Sequence, residues 1–260
     1  MSDSILNVSR LTVRFGGLTA VNEVDFSISP KEIVSLIGPN GAGKTTTFNA
    51  VTGFIRKASG RVSFEGQDLT GRKAHEIARA GIVRTYQITS LFPNLTVLDN
   101  IRTGHHMEER ETLLDVFFNT RRKRKIEKET LEKAHEILMF IGLERKKDTI
   151  ASHLPYGEQR LLEIGIALAA GPKLLLLDEP SAGLNDTETQ EMKHLIGRMR
   201  DRGITILLVE HDMKLVMGVS DRIVVLNFGK KIAEGTPDQI RCNPEVITAY
   251  LGERKRNVKS

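Results

Sequence analysis

Residues 32–45 read EIVSLIGPNGAGKT, an apolar run that breaks into glycines and then a lysine and a threonine. Glu32–Ile37 has the length and composition of a strand buried on both faces. Residues 38–45, GPNGAGKT, match G-x-x-x-x-G-K-[ST] without a gap, and a helical pattern follows through Phe54. Gly38, Gly41 and Gly43 permit backbone angles closed to other residues, so that successive N–H groups converge on phosphate oxygens. The following helix points the positive end of its dipole at the same anion. Asn40, Gly41, Ala42, Gly43, Lys44, Thr45 and Thr46 are therefore the candidate nucleotide cradle. Lys44 supplies a point charge to the β- and γ-phosphates, and the Thr45 hydroxyl is a hard oxygen ligand suited to Mg²⁺. The spacing does not fit G-x-G-x-x-G, so a dinucleotide cofactor is disfavoured.

A second decisive stretch lies downstream, where Leu174–Leu177 runs into Asp178-Glu179. A strand buried on both faces can place charges only at its tip, and that is where a parallel sheet binds ligands. Asp178 fits a metal-holding role, and Glu179 fits a general base that polarises an attacking water. Around these stretches, Ile5–Phe15 and Val21–Ile28 alternate as antiparallel strands about Gly16-Gly17. Residues from about Lys73 to Ala170 read mostly as helix and include a charged segment, Glu108–Lys133. After Lys173, strands and helices alternate, which implies a parallel sheet covered by helices on both faces. The expected organisation is an α/β core interrupted by a helical insert.

Composition closes several other readings. The 260 residues carry a formal net charge of +5, one cysteine and no tryptophan. Cys242 excludes an internal disulfide framework and suits a reducing compartment. No apolar run approaches the roughly 20 residues of a membrane-spanning helix, and Met1–Arg10 lacks the basic head and apolar centre of a signal peptide. The basic runs Arg121–Lys125 and Arg254–Arg256 have no interleaved aromatic residues, so base stacking has little support.

Taken with the two motifs, five features in the same order resemble the ATPases of ABC transporters. Phe15 resembles the aromatic residue that stacks on adenine, with Val21 close by in the chain. Gln87, in TYQITSLFPNLTVLDNI, resembles the Q-loop. Residues 154–160, LPYGEQR, resemble the LSGGQ signature; residues 181–185, SAGLN, resemble the D-loop; and His211, in LLVEHD, resembles the H-loop histidine. Taken singly, Phe15 and His211 are ordinary packing residues; the ordered set is what gives them roles. The resemblance implies a P-loop NTPase fold in one ATPase domain over 4–253. It would have a core with an N-terminal β subdomain (about 4–88 and 171–253) and an inserted helical subdomain (about 89–170). It further implies ATP and Mg²⁺ as cofactors. Gln87 would reach the metal and the attacking water, and His211 the γ-phosphate and the base, with Lys44 and Glu179 completing the catalytic set.

The signature departs from the family pattern at Pro155, Tyr156 and Glu158. Proline offers neither hydroxyl nor N–H, whereas Gly157 is retained; Tyr156, Gly157 and Glu158 are the candidate contacts to nucleotide held by a partner. In this family one subunit's signature closes over nucleotide bound to another, so the implied partners are a second ABC ATPase subunit and two transmembrane permease subunits. An apolar surface at Ile88–Asn100, with Leu91, Phe92, Leu95 and Val97, is the expected grip on the permease, with internal core of the insert as the alternative reading of each residue. The signature LPYGEQRLLEI, the charged insert and the ending GTPDQIRCNPEVITAYLGE look like the ATPases of branched-chain amino-acid importers. That subgroup implies an extracytoplasmic binding protein acting through the permease, and a place on the cytoplasmic face of the membrane. Lipopolysaccharide-export ATPases share much of the pattern. A soluble nucleic-acid or ribosome-associated ABC protein and a module that binds without hydrolysing are the remaining alternatives, and no nucleic-acid partner is expected.

Overall fold

The run that opens the phosphate loop becomes strand β3, Ile33–Ile37, with all five residues buried. The computed structural model describes residues 4–85, 91–105 and 121–257. Two further wholly buried strands are β7, Leu174–Asp178, and β8, Thr205–Val209. With β6 (Ile82–Arg84), β9 (Arg222–Asn227) and β10 (Lys230–Gly235) they form a sheet in the order β10-β9-β3-β8-β7-β6 among the described residues. Every pairing in it is parallel except β10 with β9. Parallel strands covered on both faces carry continuous apolar runs, which is why these segments read as strands from composition. The short strand β6 is a correction to the helical reading of residues after Lys73; it pairs with β7 through Ile82↔Leu174 and Arg84↔Leu176.

A second, antiparallel sheet joins β1 (Leu6–Phe15), β2 (Leu18–Ile28), β4 (Ala58–Phe64) and the two-residue β5 (Gln67–Asp68) in the order β2-β1-β4-β5. Its inward residues Leu6, Val8, Leu11, Val24, Phe26 and Phe64 share one apolar cluster with Leu36, Phe48, Leu176 and Leu207. Helix α1, Lys44–Val51, buries Phe48 and Val51 in that cluster.

The chain forms two compact units. The first comprises Met1–Arg84, Lys173–Ala182 and Thr189–Ser260, and it holds both sheets. The second comprises Thr85–Pro172 and Gly183–Glu188. Its described helices Val97–His105, Arg121–Ile141 and Tyr156–Ala169 surround buried Val97, Ile101, Leu138, Leu162 and Ile164. A Cβ on Gly165 would stand 2.6 Å from Ile101 Cδ1 and 2.7 Å from Ile141 Cδ1, so the helices meet where a side chain is missing. Val97 belongs to this core and not to the expected permease-gripping surface; Phe92 and Leu95 are exposed. No described helix is long and apolar enough to cross a membrane.

Candidate functional site

The strand order delivers the site. Strands β3, β8, β7 and β6 are consecutive in the sheet, and each releases a chemically active segment at its carboxyl end: the phosphate loop, Glu210-His211, Asp178-Glu179 and Arg84. Ligands of open parallel sheets bind at this edge.

In the phosphate loop, Gly43 takes φ +100° and caps α1 without a side-chain hydrogen bond. A Cβ there would stand 2.7 Å from the Ala20 carbonyl oxygen, so conformation and space both require glycine. At Gly38 a Cβ would meet the Leu226 carbonyl oxygen at 2.1 Å. Lys44 Nζ curls back to donate to the carbonyls of Gly38 (2.6 Å) and Pro39 (3.1 Å). An ammonium held inside the loop, above a helix N-terminus with no side-chain cap, is a receptor for an anion.

The carboxylates at the next strand tips are set by hydrogen bonds. Asp178 is buried, and Arg84 Nη2 donates to its Oδ2 at 2.7 Å. Burial pushes the Asp178 carboxyl above the ordinary aspartate range; Arg84 opposes this, and the nearby Glu179 and Glu210 charges add to it. Glu179 follows in the left-handed region, with φ +48°, and its N–H donates to the Val209 carbonyl at 2.8 Å. Its Oε1 lies 3.8 Å from His211 Nδ1. Beneath them, fully buried Glu210 accepts from Ser181 N (2.8 Å) and Oγ (2.6 Å) on one oxygen. Its other oxygen accepts from His211 N (2.9 Å) and Asp212 N (3.2 Å).

The signature segment lies in the second unit. Pro155 occupies the N-cap of the helix Tyr156–Ala169. Tyr156 is partly exposed, and its hydroxyl accepts from Arg160 Nε at 3.0 Å; Arg160 in turn donates to Glu163 at 2.9 Å. Its ring sits where a Cβ on Gly183 would be, 2.9 Å away. Gly157 is buried over Glu188, whose Oε1 would stand 2.5 Å from an added Cβ. Glu188 Oε2 accepts from Asn185 N, and Asn185 Oδ1 accepts from Glu188 N, both at 3.0 Å. Glu158 is held by Lys146, whose Nζ donates to both carboxylate oxygens at 2.6 Å.

A protein-family model described as ABC transporter matches residues 21–182. The chain belongs to the ABC transporter family. A second model, described as branched-chain amino acid ATP-binding cassette transporter, matches residues 230–256. The high-affinity branched-chain amino acid transport ATP-binding protein LivG of Escherichia coli (strain K12) is 49% identical over 254 residues, covering 97% of this chain and 100% of LivG. The corresponding protein BraF of Pseudomonas aeruginosa is 48% identical with the same coverage. The lipopolysaccharide export system ATP-binding protein LptB of Haemophilus influenzae is 36% identical over 96% of this chain and 98% of LptB. Among solved structures, an ATP-binding cassette of an ABC transporter in its ADP conformation superposes with TM-score 0.83 at 33% identity, covering 96% of this chain and 99% of that one. The fold is that of an ABC ATPase, and the chain is a nucleotide-binding ATPase of that family.

Within this ABC cassette the expected residues fall into three groups. The phosphate loop, Asp178, Glu179 and His211 gather in the first unit at the edge described above. Thr45 is exposed on the first turn of α1, Phe15 is exposed at the end of β1, and Val21 is fully buried with its Cγ2 behind Gly43. Tyr156, Gly157 and Glu158 gather in the second unit. Gln87 lies outside the described residues, as do residues 88–90 of the expected permease grip and residues 108–120 of the charged segment. Sequence reasoning missed Arg84 and Glu210, although each is a charge at the tip of an apolar strand, the signal that marked Asp178.

Proposed function

We propose that this ABC ATPase hydrolyses ATP to drive a membrane importer of branched-chain amino acids. The observation that carries the substrate class is the match of residues 230–256 to the branched-chain amino-acid model, on a chain that aligns nearly end to end with LivG and BraF. The export reading is weaker, because LptB is 36% identical against 48% for BraF.

In this reading the phosphate-loop amides and Lys44 receive the β- and γ-phosphates, and Phe15 offers an exposed ring to adenine. Glu179 orients and polarises the attacking water, while His211, 3.8 Å from it, reaches the γ-phosphate. The hydroxyl of Thr45, the carboxylate of Asp178 and the amide oxygen of Gln87 are hard oxygen donors that suit Mg²⁺. No cluster of three or more His, Cys, Asp or Glu among the described residues could cage a metal; the protein supplies part of a coordination shell that phosphate oxygens and water complete. When bound, Mg²⁺ neutralises charge developing on the β- and γ-phosphates. The signature segment acts on nucleotide held by a second ABC ATPase subunit, with Gly157 and the helix N-terminus behind Pro155 facing the anion. Two permease subunits, an extracytoplasmic binding protein and the cytoplasmic face of the membrane complete the assembly.

The test uses Glu179→Gln, with mass measured by light scattering with and without Mg-ATP, alongside phosphate release. Slowed release and an ATP-dependent doubling of mass are expected where identical chains pair. Unchanged phosphate release refutes Glu179 as the base. Reconstituted with its permease, the wild-type chain should support ATP-dependent leucine accumulation in vesicles; accumulation of no branched-chain amino acid refutes the substrate class.

A further inference from the structure

Arg84 is the last residue of the edge strand β6, and its side chain is only 10% exposed. Its guanidinium donates in two directions, through Nη2 to Asp178 Oδ2 at 2.7 Å and through Nη1 to Asn49 Oδ1 on α1. It also lies over the rings of Phe48 at 5.2 Å and Phe54 at 5.7 Å. Strand tip and phosphate-loop helix are thereby joined through one planar cation. A lysine has neither the fork to serve two acceptors in fixed directions nor the flat face to rest on aromatic rings.

We propose that Arg84 is a positioning residue that fixes the Asp178 carboxylate relative to the phosphate-loop helix, so that the divalent-cation site is preformed before nucleotide arrives. The proposal rests on the reading of Asp178 as a metal-holding carboxylate. Arg84 touches neither nucleotide nor reacting atoms in this scheme; it acts through Asp178 and Asn49. Residues that orient a metal-binding carboxylate typically contribute one to two orders of magnitude in metal affinity.

The test compares Arg84→Met, which keeps an apolar stem between the phenylalanine rings, with Arg84→Lys and Asp178→Asn. Mn²⁺ is titrated into each protein–ADP complex and free Mn²⁺ is followed by electron paramagnetic resonance. ADP affinity is measured separately in EDTA. Expected are unchanged ADP affinity in EDTA for Arg84→Met, Mn²⁺ affinity lowered about tenfold or more, and partial recovery in Arg84→Lys. Wild-type Mn²⁺ affinity in Arg84→Met, with Asp178→Asn impaired, overturns the proposal alone. Wild-type Mn²⁺ affinity in Asp178→Asn overturns the metal reading of Asp178 and the proposal with it. Loss of ADP affinity in EDTA for both Arg84 variants shows a purely structural role and also overturns it.

Discussion

Glu210→Gln replaces one acceptor oxygen of a fully buried carboxylate with an amide that donates. The wild-type carboxylate accepts four hydrogen bonds, two from Ser181 on one oxygen and two from the His211 and Asp212 amides on the other. Turned toward Ser181, its NH₂ can donate to the rotatable hydroxyl but faces the Ser181 N–H; turned the other way, it faces both the His211 and Asp212 amides. Hydrogen bonds to a charged group contribute about 1.5–3 kcal/mol each and neutral ones about 1, so losing one of the four outright and reducing the other three to neutral strength costs about 3 kcal/mol. The side chain is 0% exposed, and no solvent screening reduces that figure. Relief of repulsion with Asp178 and Glu179 offsets roughly 1 kcal/mol, leaving a net loss of about 2 kcal/mol or more. Across a chain of this length that lowers the melting temperature of the nucleotide-free protein by roughly 4–8 °C. Scanning calorimetry measures the shift, and ATP turnover should fall in parallel because His211 and Ser181 both lose their anchor. Ser181→Ala should cost less, about 1 kcal/mol, and its effect should shrink in the Glu210→Gln background because the two share one interaction. A melting temperature within about 1 °C of wild type, or strict additivity of the two changes, would falsify this account of Glu210.

Gly157→Ala places a Cβ 2.5 Å from Glu188 Oε1; it should lower the melting temperature, and the loss should be smaller in a Glu188→Ala background, as a thermal shift series would show. Gly183→Ala meets both a φ of +79° and the Tyr156 ring at 2.9 Å. Its cost should be about 1–3 kcal/mol and should fall only in part when Tyr156 is also alanine, because the backbone strain remains; full rescue in chemical denaturation would contradict this. Burial pushes the Glu32 carboxyl up, but the Arg222 guanidinium and the Ser29 amide together hold it below the ordinary glutamate range. Its ionised form therefore stabilises the fold above that range, and the contribution is lost as pH falls through its lowered value. The melting-temperature gap between wild type and Glu32→Gln should close on acidification; a constant gap would count against the pairing.

How much of this was legible depended on the distance along the chain over which each interaction acts. The phosphate loop was readable because strand, glycines, lysine and helix are contiguous. Strands β3, β7 and β8 were readable because burial on both faces leaves no polar positions to blur an apolar run. Strand β6 was not, since Ile82–Arg84 is three residues long and its strand character comes from pairing with Leu174–Leu176. The partners of the site charges were hidden for the same reason. Arg84 reaches Asp178 across 94 positions, and Ser181 reaches Glu210 across 29; neither pairing exists until the strand order brings the tips together. Val97 shows a complementary ambiguity, because an apolar residue next to Phe92 and Leu95 reads equally as surface or as core until its helix turns it inward.

The strand order also bears on the proposed role of a divalent cation. Beyond β3 in the sheet, β8 leads into Glu210 and the next strand, β7, into Asp178-Glu179, and the latter two carboxylates flank the proposed path of the nucleotide. Of the basic groups at these tips, Arg84 is committed to Asp178 and Asn49, and Lys44 is drawn back against two carbonyls of its own loop. A triphosphate entering such an edge faces carboxylates at short range, where unlike water the surroundings screen repulsion poorly. The loop amides and Lys44 answer the phosphate on the β3 side only. On the β7 side, the proposed Mg²⁺ between Asp178 and the phosphates would supply the balancing charge. Arg84 cannot serve as that cation, because its two hydrogen bonds to Asp178 and Asn49 make it a fixed part of the wall.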